Sequence, residues 1–414
     1  MDIRAFRGFR PLASRVSQVA CRPYDVLSSE EARIEAKGND YSFLNVVKPE
    51  ISLEPDVDEY SDAVYRAGKE NFESLVADGV FVQDEQPSLY IYELIMDSRS
   101  QTGIVGCASV EDYLANRIKK HELTRPDKEN DRKNHVRVSM LNAEPVFFAY
   151  RAVAELDLLV ESIKKTRPLY QFIADDGVEH IFWQVADTEQ IDSIVNQFSS
   201  MNSTYVADGH HRTAAAALVG SELRSENPYH TGEEAYNYFL AVHFPDDQLE
   251  IIDYNRLVKD LNGHDPESFL ASLGNAFSVT KINGAQKPGR LHQLSMYLSG
   301  QWYSLEAKQA TYDDADPIAI LDVTILSNQV LEPLLGISDL RTDKRIEFVG
   351  GIRGLEELQN RVDSGEMAVA FAMFPVSMEQ LMDIADNDLI MPPKVTWFEP
   401  KLRSGLIVNS LSDW

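Results

Sequence analysis

The sequence predicts an α+β protein, a mixed α/β fold divided into two domains. Three observations carry this. Short apolar runs of strand character alternate with segments of helical period along the whole chain, and no internal repeat interrupts them. With 414 residues, 44% of them hydrophobic and 25% charged, the chain can bury a large core and form more than one domain. The turn cluster Asn262-Gly263-His264-Asp265-Pro266 marks a break. Residues 1–262 then form one α+β domain carrying the candidate site, and residues 263–414 a C-terminal α/β domain.

The elements follow in order. A strand-rich start leads to Ser28-Ser29-Glu30-Glu31, where a hydroxyl ahead of two carboxylates caps a helix. Tyr60 to Gly79 is helical: Tyr60, Val64, Ala67, Phe72 and Leu75 recur at helical spacing, and Asp78-Gly79 stops them. Leu89 to Met96 and Thr102 to Val110 read as paired strands with a polar connection, 97–101. A helix over 131–143 and a strand over 146–150 follow. Between 152 and 200, two amphipathic segments flank a strand around His180 to Val185. Tyr236 to Phe244 and Leu249 to Asp253 are further strands. Past the turn cluster, Met296 to Leu305 is a hairpin turning at Ser299-Gly300, and 318–334 is helical with Pro333 near its end. Arg345 to Gly354 runs from strand through a glycine turn to a helix. Ala368 to Phe374 is a strand, Met378 to Asp386 a helix, and Met391 to Val408 an extended tail.

Composition narrows the function. The formal net charge of −27 repels the phosphate backbone of nucleic acids and argues against them as partners. No apolar run approaches a membrane span, and the arginine-bearing N-terminus has no apolar core of a secretory signal. The two cysteines, Cys21 and Cys107, form neither a disulfide framework nor zinc spacing, so a cytoplasmic location is expected. Two basic islands, Arg4 to Arg22 and Lys119 to Arg137, suit a focused pocket for a small anion.

The stretch from Tyr205 to Ala217 is the most informative. An apolar strand ends at Asp208, Gly209 permits a sharp turn, and an alanine-rich helix begins. Asp208, His210, His211 and Arg212 therefore crowd a helix N-terminus, where backbone N–H groups and the helix dipole favour an anion. Phosphate is the natural ligand, held by Gly209, His210, His211, Arg212 and Thr213, with Asp208 as a metal ligand or base. A second cluster, Lys119-Lys120-His121-Glu122-Leu123-Thr124, places cations, an imidazole, a carboxylate and a hydroxyl together. Phosphoryl transfer requires cations for the developing charge, a metal-binding carboxylate and a base. Glu122 suits metal ligation or base chemistry, and His121, Lys120 and Thr124 suit phosphate contacts. Asp131 and Arg132 extend the cluster, Asp25 caps a helix or joins the site, and Arg256 can fork onto a phosphate or hold a domain interface. Gly350-Gly351-Ile352-Arg353-Gly354 lacks the Lys-Ser/Thr of a P-loop and reads as a structural turn.

Five segments, Pro23-Tyr24-Asp25-Val26, Lys120 to Thr124, the Asp208 turn, Tyr254-Asn255-Arg256 and Met391-Pro392-Pro393-Lys394, occur in this order. In this the chain resembles the uncharacterised bacterial and archaeal family catalogued as domain of unknown function 1015, some of whose members are labelled ParB-like. It departs from the family at Val395, where relatives are expected to carry Ser or Thr. Asp208-Gly209-His210-His211-Arg212 also resembles the phosphate-binding turn of the ParB/sulfiredoxin superfamily. That group holds ParB nucleotide-binding domains, sulfiredoxin and a free-serine kinase using ADP or ATP. The resemblance implies a ParB/sulfiredoxin-like nucleotide-binding core, ADP or ATP with Mg²⁺, and phosphoryl transfer to a small hydroxylated metabolite such as free serine. The catalytic residues implied are Asp208, Glu122 and His121, with Asp208 and Glu122 on the metal. A ParB-like nucleotide-binding regulator without turnover, and a phosphatase or nucleotide hydrolase, remain the alternatives. Sulfiredoxin chemistry would need a reactive cysteine at the turn, and none is there.

Overall fold

The computed structural model describes residues 1–412. The chain forms two compact units that interleave along the sequence. The first comprises Met1–Lys120, Thr124–Leu249 and Pro400 onward; the second comprises His121–Leu123 and Glu250–Glu399.

The first unit is built on a mixed nine-stranded sheet. From one edge its strands are Ile118–Lys119, Thr204–Asp208, Val146–Tyr150, Tyr238–Pro245, Arg99–Ser109, Leu89–Met96, Glu179–Val185 and Tyr170–Ile173, with Ile3–Arg4 added beside Arg99–Ser109. Thr204–Asp208 runs parallel to Ile118–Lys119 and antiparallel to Val146–Tyr150. Val146–Tyr150 is in turn parallel to Tyr238–Pro245. The central strands are buried along their length, which is why they read as continuous apolar runs rather than alternating ones. Helices Ala154–Lys164 and Thr188–Ser200 bring Leu156, Ile163, Ile194 and Phe198 against Phe148, Trp183 and Phe239. Each such side chain contributes about 1.5–3 kcal/mol by leaving water. A second cluster joins Phe43, Leu44, Phe72 and Phe81 to Val408 from the chain's far end.

The second unit holds a fully antiparallel six-stranded sheet in the order Phe277–Ile282, Gln301–Ala307, Gln293–Leu298, Val369–Ala372, Tyr254–Val258 and Ile346–Gly350. Helix Gly354–Asp363 contributes Leu358 to the cluster of Leu257, Tyr297, Trp302 and Met367.

Local signals in the sequence were sound. Ser28 accepts from the Glu31 N–H and Glu31 reaches back, forming a full capping box for Ser29–Ala36. The first hairpin turns tightly on Asp97 and Ser98, both at positive φ, so its strands extend further than the polar connection suggested. Three readings change. The boundary expected at 262/263 falls inside the second unit, because Tyr254–Val258 pairs with both Ile346–Gly350 and Val369–Ala372. The helix over 318–334 is a short α-helix, Asp322–Leu326, that widens into a π-helix, Ser327–Leu331. The extended tail is woven into sheets: Trp397–Phe398 pairs with Ile251–Ile252, Val408 bridges Phe9, and Asn409–Ser410 pairs with Leu141–Asn142. Among the described residues no helix is long and apolar enough to cross a membrane.

Candidate functional site

The turn after Asp208 is shaped by its own backbone. The register between Thr204–Asp208 and Val146–Tyr150 slips between Val206 and Asp208, a bulge that re-aims the last side chain of the strand. Gly209 then adopts φ 99°, ψ 33°, a conformation open to glycine and strained for any other residue. Helix His210–Glu226 starts there without a side-chain cap, and its first backbone hydrogen bond runs from Thr213 N–H to Gly209 O. The N–H groups ahead of it have no partner within the helix and point out of its positive end. The helix is buried along Thr213–Ala217, Val219 and Gly220, and the alanines allow that close approach.

Charged side chains converge on this turn from distant parts of the first unit. Arg212 donates through Nη1 to Pro145 O at 2.6 Å, while its Nη2 lies 3.8 Å from Asp208 Oδ2 and 4.0 Å from Asp25 Oδ2. Its buried Nε has no hydrogen-bond partner among the described residues. Lys401 Nζ donates to Asp208 Oδ2 at 3.1 Å. Burial alone would raise the Asp208 carboxyl, but Lys401 and then Arg212 outweigh it and hold the group well below the usual carboxylate range. Asp208 is therefore a permanent anion at neutral pH, a poor general base and a ready ligand for a cation. Glu144 is buried nearby, accepts from Ser404 Oγ at 2.8 Å and Tyr24 N–H at 3.2 Å, and is pushed up by burial against the pull of Arg212 and Arg132. Arg132 pairs with Asp131 at 2.7 Å and lies 4.0 Å over the Tyr24 ring. Arg132, Glu144 and Arg212 line a cavity of about 30 Å³, the size of a single water site.

The structure places the other expected residues as follows. His211 Nε2 accepts the Arg125 N–H at 3.0 Å, fixing the start of helix Pro126–Ser139 beside the turn; that nitrogen is thus an acceptor and cannot donate to phosphate in this arrangement. His210 is buried at the first helical position. Thr213, expected to contact phosphate, is instead fully buried, and its hydroxyl bonds back to Gly209 O at 3.0 Å. Thr124 donates to Glu129 Oε2 at 2.6 Å, and Lys120 Nζ lies 4.6 Å from the Tyr113 ring centre. Arg256, expected to reach a phosphate, is sealed in the second unit. It is 1% exposed, its donors go to Tyr254 O and Lys394 O, and burial pushes its guanidinium down to about 10. His121 is also buried in the second unit, its Nε2 3.2 Å from Thr396 Oγ1 and its carbonyl accepting from Met391 N–H. Glu122 lines a cavity of that same unit.

Within the first unit, then, Arg212 lies beside both Asp208 and Asp25, and the Arg125 N–H reaches the turn through His211. Glu144 and the Asp208 pairing of Lys401 were not foreseen. An isolated acid ahead of the apolar strand Val146–Tyr150 was the only local hint of Glu144.

These features define an α+β protein with a mixed sheet and a glycine-hinged, charge-lined strand-to-helix turn. The chain belongs to the family described as Protein of unknown function (DUF1015), whose model matches residues 3–324. No curated protein matches it. Among solved structures it is similar to a free serine kinase in complex with AMP, at 12% identity and TM-score 0.35, over 72% of this chain and 86% of that one. SbnI with a C-terminal truncation from Staphylococcus aureus gives 10% identity and TM-score 0.39, over 72% and 85%. A conserved hypothetical protein from Pyrococcus furiosus gives 13% identity and TM-score 0.36, over 77% and 99%.

Proposed function

We propose that this protein is a small-molecule phosphotransferase that binds ADP or ATP with Mg²⁺ and passes a phosphoryl group to a small hydroxylated metabolite, free serine being the acceptor the sequence resemblance suggests. The observation that supports it most is the Asp208–Arg212 turn. It offers the N-terminus of a helix without a side-chain cap, an Arg212 whose Nε has no hydrogen-bond partner among the described residues, and a lysine, all within one unit. The phosphate would lie at the N-terminus of helix His210–Glu226, held by those N–H groups, Arg212 and Lys401.

Of the two roles open to Asp208, metal ligand fits better than base, because its neighbours keep it ionised. Glu122 is the proposed second carboxylate, on the metal or as the base, and His121 a proposed phosphate contact; both rest on the sequence motif. Mg²⁺, when bound, supplies charge neutralisation on the phosphate oxygens. In the reaction the acceptor hydroxyl gives its proton to the base, its oxygen bonds to the terminal phosphorus, and the bridging P–O bond breaks with its electrons on the departing nucleotide.

The test is a thermal-shift titration with ADP, ATP and CTP, each with Mg²⁺, on the native chain and on Asp208→Ala and Arg212→Ala. A ligand that binds only the folded state raises its melting point by mass action. Stabilisation by a nucleotide that both variants abolish supports the reading, and transfer of labelled phosphate to serine would identify the acceptor. Absence of any nucleotide response refutes it.

A further inference from the structure

His121 and Glu122 are neighbours in the chain, and in an extended segment neighbouring side chains point to opposite faces. Here the chain bends at both residues, and a ring nitrogen of His121 and a carboxylate oxygen of Glu122 come within 4.8 Å of each other. After a small side-chain rotation both can bind one ion at about 2.0–2.2 Å. His121 is buried and Glu122 half-buried, so the pair joins a fixed nitrogen to a carboxylate that solvent reaches.

The second unit holds this imidazole from two sides with its own segment 391–396. Met391 N–H donates to His121 O at 2.8 Å, and Thr396 Oγ1 lies 3.2 Å from His121 Nε2. Between these two contacts Lys394 takes φ 61°, a region that residues with a side chain rarely visit, and Arg256 Nη2 donates to its carbonyl at 2.9 Å. Met391 and Val395 are buried, so the segment is anchored along its length. Arg256, closed to any ligand, thus fixes the segment, and the segment fixes the ring. A histidine that binds metal through one nitrogen almost always donates its other ring N–H to an oxygen, which sets the tautomer and the ring orientation. Thr396 Oγ1 is such an acceptor. With Nε2–H directed to it, the lone pair falls on Nδ1.

We infer that His121, through Nδ1, and Glu122 ligate a divalent transition ion of the Zn²⁺ class, with Thr396 and Arg256 as positioning residues. Mixed nitrogen and oxygen donors favour such an ion over Mg²⁺, which prefers oxygen alone. The inference rests on the phosphotransferase reading only for the place of Glu122 on a metal, and it makes His121 a ligand where the motif alone suggested a phosphate contact. The experiment is calorimetric titration of the metal-stripped full chain with Zn²⁺, without nucleotide and with millimolar Mg²⁺ present to fill sites built of carboxylates alone. The native chain binds one Zn²⁺ ion that His121→Ala does not bind. Thr396→Val weakens that binding about ten- to hundredfold, the usual cost of losing the group that orients a ligating histidine, and Thr396→Ser restores it. Thr396→Val keeps the side-chain shape, so its effect is read on a folded chain even where His121→Ala is unstable. The inference is overturned if the native chain takes up no Zn²⁺, if His121→Ala binds it like the native chain, or if Thr396→Val and Thr396→Ser bind it alike. Zn²⁺ bound through His121 without any nucleotide response leaves this site standing and refutes the phosphotransferase reading; a nucleotide response with no Zn²⁺ at His121 does the opposite.

Discussion

Replacing Gly209 with alanine tests the turn directly, and the structure sets both the size and the character of the effect. At φ 99° an alanine is strained, at a cost of about 1–3 kcal/mol for a residue held in a sparsely populated region. The new Cβ would also sit 3.1 Å from Arg212 Nε, 3.2 Å from its Cζ and 3.3 Å from its Nη2. The guanidinium must therefore move by a few tenths of an ångström, loosening the bond to Pro145 O and the approach to Asp208. Gly232 is the control: its φ is 95°, and a Cβ there meets no heavy atom within 4 Å. Gly232→Ala thus carries the backbone cost alone. Both variants lower the thermal midpoint of the chain, Gly209→Ala by more. Only Gly209→Ala weakens Mg²⁺–nucleotide binding, by at least about tenfold, which corresponds to roughly 1.4 kcal/mol. Binding is read as the nucleotide-dependent rise in melting point, so the intrinsic loss of stability cancels within each variant. A Gly209→Ala protein that responds to nucleotide as strongly as Gly232→Ala does would show that the turn does not hold the phosphate.

Lys401→Met removes the nearer cation from Asp208; with both side chains partly exposed, the loss is about 1–2 kcal/mol, or roughly five- to thirtyfold in Mg²⁺–nucleotide affinity measured by titration. Glu122→Gln leaves nucleotide binding measurable but lowers phosphoryl transfer by about a hundredfold or more in a single-turnover assay, and full activity in this variant would remove Glu122 from the mechanism. Acid weakens the first unit through its buried histidines: burial lowers His135 to about 4 and His180 and His243 to about 3. Since these folded values lie below the unfolded value of about 6.5, the unfolded chain takes up more protons, and stability is lost as pH falls from about 6.5 towards 3. His243 has two buried ring nitrogens without partners among the described residues, so His243→Phe raises the urea midpoint at pH 5 and flattens this part of the profile. Asp322 behaves in the opposite sense: burial pushes it up to about 7, so its contribution is present at low pH and lost as pH rises through 7. Asp322→Asn keeps an oxygen to accept the His292 N–H, and it stabilises the chain by up to about 4 kcal/mol at pH 8 and by well under half of that at pH 5.

Much of this protein was legible one segment at a time. Ser28 and Glu31 announced their helix because a capping box is made within four residues, and Ser299-Gly300 announced its hairpin because both positions must take positive φ. Asp208 to Arg212 gave the strand, hinge and helix start of the candidate site for the same reason: glycine and alanine state local backbone preferences. What lay beyond reach was every feature fixed by partners far away in the chain. Lys401 meets Asp208 across 193 residues, and Ser404 meets Glu144 across 260. Arg256 could as well have been a surface ligand until strand pairing buried it between backbone carbonyls. The interleaving of the two units, the π-turn after Leu326 and the return of residues 400–412 into the first unit all come from long-range pairing and packing. The sequence alone determined the chemistry available at the turn, because propensity and capping act over a few residues. The tertiary structure decided which charges face Asp208 and keep it ionised, because electrostatics depends on distance in space, and only the folded chain sets that distance.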